Sequence, residues 1–135
     1  MTEKQYIQAL KALADSTRLR LFWLLVKVDQ RICVAEAMDV TCDSQYNVSR
    51  NLKLLYQAGL IVPQKQGKWV YYTPVEQQQP HWQQLIESVK SIPDNEFCDD
   101  INRCKWRLSL RENNECVIGA QSEQWQAILE QQPKV

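Results

Sequence analysis

Residues 44–74, SQYNVSRNLKLLYQAGLIVPQKQGKWVYYTP, combine one amphipathic helix with two β-rich runs. Val48, Leu52, Leu55 and Tyr56 recur at i, i+4, i+7 and i+8, which is one face of a helix, and Ser44 stands where an N-cap belongs. Gly59 ends the pattern as a glycine just past a helix C-terminus does. Behind it, residues 60–65 and 68–73 are two β-rich runs flanking Gln66-Gly67, which predicts a hairpin. Ahead of it, Ile32 to Met38 reads as a short helix, and Val40-Thr41-Cys42-Asp43-Ser44 as a turn with a cap. Two short helices across a tight polar turn make a helix-turn-helix. A hairpin directly after it makes the wing of a winged helix.

Working outward, Ile7, Leu10, Leu13 and Ala14 mark a first helix, and Asp15-Ser16 caps a second. That second helix carries Leu19, Leu21, Phe22, Leu24, Leu25 and Val26, too apolar for anything but the centre of the core, and Val28-Asp29-Gln30 closes it. Downstream, Pro74 ends the wing and Gln77-Gln78-Gln79-Pro80 links it to a fifth helix bearing Trp82, Leu85, Ile86 and Val89, stopped by Pro93. The last third carries two patterns. Phe97, Ile101, Cys104 and Leu108 form a helical stripe, while Trp106, Leu108 and Leu110 alternate as a strand would; Asp99 and Asp100 suit a helix start, so a helix to about Arg111 is expected. Asn113-Asn114 then turns, and Ser122 caps a terminal helix with Trp125, Ile128 and Leu129, ended by Pro133. The expected fold is mainly α with a small β-hairpin wing. Residues 1–92 are expected to form the winged helix-turn-helix and dimerisation domain, and residues 93–135 a cysteine-containing, sensory C-terminal extension.

The chain has 135 residues, 44% of them hydrophobic, with 16 basic residues against 16 acidic ones. This suits one compact domain with an appended segment and excludes a wholly disordered chain. The first residues lack an apolar signal core, and no run approaches the ~18 apolar residues of a membrane span, so a soluble, cytoplasmic protein with no membrane partner is expected. Five cysteines, an odd number without a CxxC pair, fit neither a secreted disulfide framework nor a zinc ribbon. Reduced thiols are expected.

The net charge of zero is unevenly distributed. From Ser44 to Pro74 the charged residues are Arg50, Lys53, Lys65 and Lys68, with no acid, a local charge of +4. Phosphates attract such a patch through counterion release. Ser44, Gln45, Asn47, Ser49 and Arg50 open the fourth helix, where base-contacting side chains of a helix-turn-helix sit. Gln and Asn pair with adenine edges and Arg with guanine edges. Lys53 adds to the patch, and Lys65 and Lys68 flank the wing tip. Double-stranded operator DNA is the expected partner. An enzyme is not expected: His81 is the one histidine, and no phosphate-binding glycine loop or carboxylate pair stands out.

These residues together resemble the arsenical-resistance repressor (ArsR/SmtB) family. The resemblance rests on residues 12–21 (ALADSTRLRL), residues 48–55 (VSRNLKLL), residues 58–61 (AGLI) and residues 67–72 (GKWVYY), and extends over roughly residues 5–90. It implies a homodimeric winged-helix repressor that leaves its operator when a metal or metalloid binds. It also implies dimerisation through the first and fifth helices, with Ile7, Leu10, Trp82, Leu85 and Val89 as candidate interface residues. Ser16 stands where the family usually has Pro, and Asn51 where it has His. Family members that sense arsenic often carry Cys-Val-Cys on the third helix; Cys33-Val34-Ala35 keeps the first thiol alone. Zinc-type members use histidine and carboxylate pairs on the fifth helix, which a single His81 does not supply. Thiolate chemistry remains: trivalent arsenic or antimony is satisfied by three thiolates in a pyramid. Cys98, Cys104 and Cys116 are the expected ligands, with Cys33 as an additional or replacement ligand, arsenite or antimonite as the inducer, and no organic cofactor. The alternative is a thiol-disulfide redox sensor on the same fold; a cadmium, lead or zinc sensor ranks below both.

Overall fold

The computed structural model describes residues 2–132, apart from the side chain of Cys98. Its elements are α1 (Glu3–Leu13), α2 (Ser16–Val28), β1 (Ile32–Cys33), α3 (Val34–Thr41), α4 (Gln45–Gln57), β2 (Ile61–Gln66), β3 (Trp69–Pro74), α5 (Pro80–Lys90), α6 (Cys98–Leu108) and α7 (Glu123–Glu130). The fold is mainly α with a small antiparallel sheet, in the order β1-β3-β2.

Local chemistry sets most boundaries. Asp15 caps α2 by accepting the Arg18 N–H at 3.0 Å, and Ser44 caps α4 by accepting the Asn47 N–H at 3.1 Å. Asp29 and Cys42 close α2 and α3 in the left-handed region, at φ 54° and 55°. At the wing tip Gln66 pairs with Trp69, so the hairpin loop is Gly67-Lys68, one residue later than the flanking runs suggest. Gly67 has φ 62°, the conformation a two-residue hairpin needs.

The third helix starts two residues later than expected and runs three further, to Thr41. Ile32 and Cys33 pair with Tyr72 and Tyr71 of β3 instead, and the Cys33 N–H is taken by the Glu36 side chain at 3.1 Å, which makes Cys33 the residue before the helix rather than part of it. The helix in the C-terminal segment forms, ending at Leu108 rather than Arg111. Tight turns continue to Arg111, and Asn113 and Asn114, both at positive φ, reverse the chain inside a Glu112–Glu115 bridge. The expected stop at Pro133 lies outside the described residues.

α2 is the centre of the core: Leu21, Phe22, Trp23, Leu24, Leu25 and Val26 are all buried. Trp82, Leu85 and Val89 of α5 are buried against it. These three are therefore packed inside the chain's own core, which corrects their assignment as candidate interface residues; on α1, Ile7 and Leu10 remain 44% and 45% exposed. α6 packs its apolar stripe into the same core, with the Phe97 and Trp23 rings 4.9 Å apart.

A second stripe of α6 fastens it to the helix-turn-helix. Arg103, Arg107 and Arg111 follow one another at intervals of four along α6 and the turn behind it. Arg103 donates to the Val40 carbonyl at 2.6 Å, Arg107 pairs with Asp39 at 2.8 Å, and Arg111 pairs with Glu36 at 2.7 Å. The Arg107–Asp39 pair is closed to solvent, each side chain 1% exposed. Arg107 also donates to the Ile118 carbonyl at 2.6 Å, and Asp39 accepts the Gln121 N–H at 2.9 Å, so no buried side-chain nitrogen or oxygen of the pair lacks a partner. Asp100 binds Arg20 of α2 and Arg103. Residues 93–132 are thus not a loose appendage: α6 runs antiparallel to α3 and is bolted to it.

Candidate functional site

Two surfaces carry the chemistry. The first is α4 with the wing. Val48, Leu52 and Leu55 face the core, which leaves the opposite face of α4 outward. Ser44, Gln45, Asn47, Ser49, Arg50 and Lys53 are exposed there, and Lys65 and Lys68 are exposed on the wing. Asp43, just ahead of the acid-free window, accepts the Asn47 amide at 3.0 Å and orders the helix start. Tyr46, absent from the expected contact set, is 72% exposed in the first turn of α4. Lys68 stacks over the Trp69 ring at 5.0 Å, which holds the wing-tip charge in place.

The second is a thiol site beneath the wing. Cys33, Glu36 and Cys116, all buried, each bring a ligand atom within 4.8 Å of the others. Four features converge to build it. Cys33 sits at the junction of β1 and α3; Glu36 is one turn into α3; Cys116 arrives from the turn behind α6; and Tyr71, directly across β1–β3 from Cys33, accepts the Cys116 backbone N–H on its hydroxyl at 2.8 Å. Arg31 lies 4.1 Å and Arg111 5.6 Å from the Tyr71 ring centre.

The two sulfurs divide the labour of a dithiol. The neighbouring Cys116 sulfur, together with burial and the Glu36 charge, pushes the Cys33 pKa up. The Cys33 thiol in turn favours the Cys116 thiolate and, against burial, holds the Cys116 pKa down at about 7; as a thiol, Cys116 donates its Sγ–H to the Ile118 carbonyl at 3.3 Å. A sulfur that is thiolate near neutrality beside one that keeps its proton is primed for attack by Cys116 first. The ultraviolet absorbance of the Cys116 thiolate, taken as the difference between the wild type and Cys116→Ser, is accordingly expected to appear with a midpoint below that of an ordinary thiol. A midpoint near the ordinary thiol value, ~8.5, would contradict this polarisation.

The expected cysteines are therefore distributed differently from a cluster within the C-terminal segment. Cys116 meets Cys33, the residue named as a replacement ligand. Cys104 is 1% exposed in the main core, on the α6 stripe with Ile101 and Leu108, and burial pushes its pKa up to about 12. It is not one of the three grouped residues because that stripe faces α2, whereas Cys116 lies beyond the turn that follows the helix. The side chain of Cys98 lies outside the described residues; its backbone opens α6, at the end away from the turn that leads to Cys116. Cys42 is exposed in the turn between α3 and α4. Glu36 and Arg111 were not anticipated. Their signal was present as Glu36 and Asp39 at i, i+3 facing arginines at i, i+4, i+8, a complementarity that is meaningful once α6 is known to lie along α3.

Comparison with known proteins agrees with this architecture. A helix-turn-helix domain model matches residues 13–64. The chain is 37% identical over 89 residues to the putative arsenical resistance operon repressor ArsR2 of Halobacterium salinarum, covering 66% of this chain and 71% of that relative. The chain belongs to the ArsR family. Another ArsR relative, the arsenical resistance operon repressor of Escherichia coli K12, is 44% identical over 66 residues, 49% of this chain and 56% of the repressor's length. Among solved structures, HlyU from Vibrio cholerae N16961 superposes with a TM-score of 0.56 at 25% identity, over 73% of this chain and 99% of that one. These ArsR relatives are operon repressors by name, not enzymes, and the chain spans 56% of the length of one and 71% of the other. Among the described residues no helix is long and apolar enough to cross a membrane.

Proposed function

We propose that this chain is a homodimeric operator-binding repressor that leaves DNA when a trivalent metalloid, arsenite or antimonite, is captured by Cys33 and Cys116. The observation that carries the reading is the buried group Cys33, Glu36 and Cys116, each within 4.8 Å of the others, at the junction of helix-turn-helix, wing strand and C-terminal segment. The arsenical-resistance names of the relatives support the inducer class. Soft thiolates hold such an ion; Glu36 serves as the charged neighbour, its carboxylate occupied by Arg111 and by the Cys33 N–H.

Release needs the inducer to favour a conformation with poor operator fit. Both thiols are tied to the DNA-facing elements. Cys33 is hydrogen-bonded in the sheet opposite Tyr71 of β3 and leads straight into α3, while Cys116 hangs from the Tyr71 hydroxyl, and its neighbour Glu115 holds the wing residue Gln66. Drawing the two sulfurs onto one arsenic therefore moves the wing relative to α4. On α1, the exposed Ile7 and Leu10 supply an apolar surface for the partner copy.

On the DNA side, Gln45, Ser49 and Arg50 read base edges from the start of α4, with Ser44 and Asn47 at the cap, and Lys53, Lys65 and Lys68 neutralise phosphates. Arg50→Ala is expected to weaken operator affinity by about 1–3 kcal/mol and relax specificity, whereas Lys65→Ala weakens all sequences alike and lowers the salt slope by about 1. Fluorescence anisotropy across a salt series checks both; an Arg50→Ala chain that binds and discriminates as the wild type does would remove α4 from the interface.

The same sulfur pair favours a second reading, a redox switch: peroxide takes two electrons from the two thiols, one S–S bond forms, and the protons and peroxide oxygens leave as two waters. Titration of the repressor–operator complex with arsenite and, separately, with peroxide distinguishes the two. Release by peroxide with no response to arsenite would replace the first reading by the second.

A further inference from the structure

We infer that Tyr46, in the first turn of α4, is a specificity-determining residue that reads thymine in the DNA major groove through the C5-methyl group of the base. This rests on the operator-binding reading above and adds the base feature that is read. Three observations carry it. Tyr46 is 72% exposed, the most exposed of the large hydrophobic side chains among the described residues. It shares a stripe of α4 with Ser49, Arg50 and Lys53, at i, i+3, i+4 and i+7, on the side away from the buried Val48, Leu52 and Leu55. Among the described residues neither its hydroxyl nor its ring has a hydrogen-bonding, aromatic or cationic partner, so the whole side chain is open to a surface outside the chain.

The other exposed residues in the first two turns of α4 are Gln45, Asn47, Ser49 and Arg50. All four are hydrogen-bonding groups, and the Asn47 amide already donates to Asp43 at 3.0 Å. Tyr46 is the residue there that presents a broad apolar face. Polar side chains match the donors and acceptors of base edges, but the methyl group that marks thymine in the major groove is recognised by apolar contact. The N-terminal residues of a recognition helix are the ones that reach those edges. A ring laid over the methyl removes it from water, and one methyl-sized group buried in this way changes affinity by about 4-fold. A cytosine at the same place offers the ring no methyl. The contact is uncharged and releases no counterion, so the salt dependence stays with Arg50, Lys53, Lys65 and Lys68.

The test starts from random-sequence duplexes enriched by repeated binding to the purified full chain. The recovered operator is remade with deoxyuridine in place of each thymine in turn, which removes the methyl and keeps the base pair and the O4 acceptor. At one thymine position the replacement is expected to weaken wild-type binding by about 4-fold, read by fluorescence anisotropy. Tyr46→Ala is expected to bind the thymine operator more weakly by at least that factor, to bind thymine and deoxyuridine at that position alike, and to keep the wild-type salt slope. Tyr46→Phe retains the ring and behaves as the wild type. A wild type indifferent to deoxyuridine at every position, a Tyr46→Ala chain that still prefers thymine, or a Tyr46→Phe chain as weak as Tyr46→Ala overturns this inference; with Arg50→Ala still losing affinity, the operator-binding reading stands. A chain that enriches no sequence and binds no duplex at low salt overturns both.

Discussion

Serine at position 33 or 116 is expected to abolish inducer-dependent release while leaving operator affinity intact. Couplings between an effector and a second site typically amount to 5- to 150-fold, about 1–3 kcal/mol. In the wild type an arsenical should therefore lower operator affinity by something on the order of 100-fold, and in Cys33→Ser or Cys116→Ser by less than about twofold. The reason is positional. Neither sulfur touches the outward face of α4, so the apo form keeps its DNA contacts, yet each is a bond away from backbone that the wing depends on through the Cys33–Tyr71 pairing and the Tyr71–Cys116 hydrogen bond. Cys104→Ala is the informative control. Cys104 is buried in the core, so its loss should cost a modest amount of stability while the response persists. Electrophoretic mobility shift or anisotropy titrations with and without inducer decide the matter; a Cys104→Ala chain that no longer responds, beside a Cys33→Ser chain that does, would place the sensor inside the α6 core instead.

Arg107→Ala is expected to cost about 3–5 kcal/mol of folding stability, the penalty for leaving one member of a buried ion pair alone. Asp39 would keep its charge at 1% exposure with the Gln121 N–H as its remaining partner, and the Ile118 and Gly119 carbonyls would lose their donor. Because a typical domain has only 5–15 kcal/mol in total, the variant should unfold at far lower urea concentration. The double change Arg107→Met with Asp39→Leu removes both charges and should recover most of the loss, since an apolar pair of similar volume often replaces a buried ion pair at little cost. Urea unfolding at one fixed protein concentration measures both. A single variant less than about 1 kcal/mol below the wild type would mean that Asp39 is rehydrated or repaired locally, and that α6 is less firmly joined to α3 than the geometry indicates.

The two predictions divide the C-terminal segment into parts with different roles. Arg103, Arg107 and Arg111 hold α6 on α3, and in the proposed function Cys116 with its neighbours reports to the wing. Arg111 belongs to both, because its guanidinium neutralises Glu36 beside the thiols and also donates to the Arg31 carbonyl at the foot of β1. An inducer site supported by a rigid, fully paired shell is what transmits a small local change without absorbing it.

Helix caps, turn glycines and apolar periodicity made the local elements and the winged-helix family readable from the linear chain. Asp15, Ser44 and Ser122 cap helices because their side-chain oxygens accept the orphan N–H groups of the first turn, Gly59 and Gly67 take positive φ, and apolar residues repeat with the period of the element that buries them. All of these are interactions between residues a few positions apart, which a linear reading contains. That the candidate DNA-contact residues share an exposed face was legible for the same reason: they stand on the outward side of one helix and one hairpin. Which cysteines meet was decided by the tertiary structure alone. Cys33 and Cys116 are separated by most of the chain and approach because α6 lies antiparallel on α3, an arrangement fixed by arginines and acids far apart in sequence. Helical spacing groups Cys104 with Phe97, Ile101 and Leu108, and that stripe goes to the core because burying apolar surface outweighs keeping a thiol accessible. Local periodicity specifies the face on which a residue stands; the packing of distant helices specifies what stands opposite it.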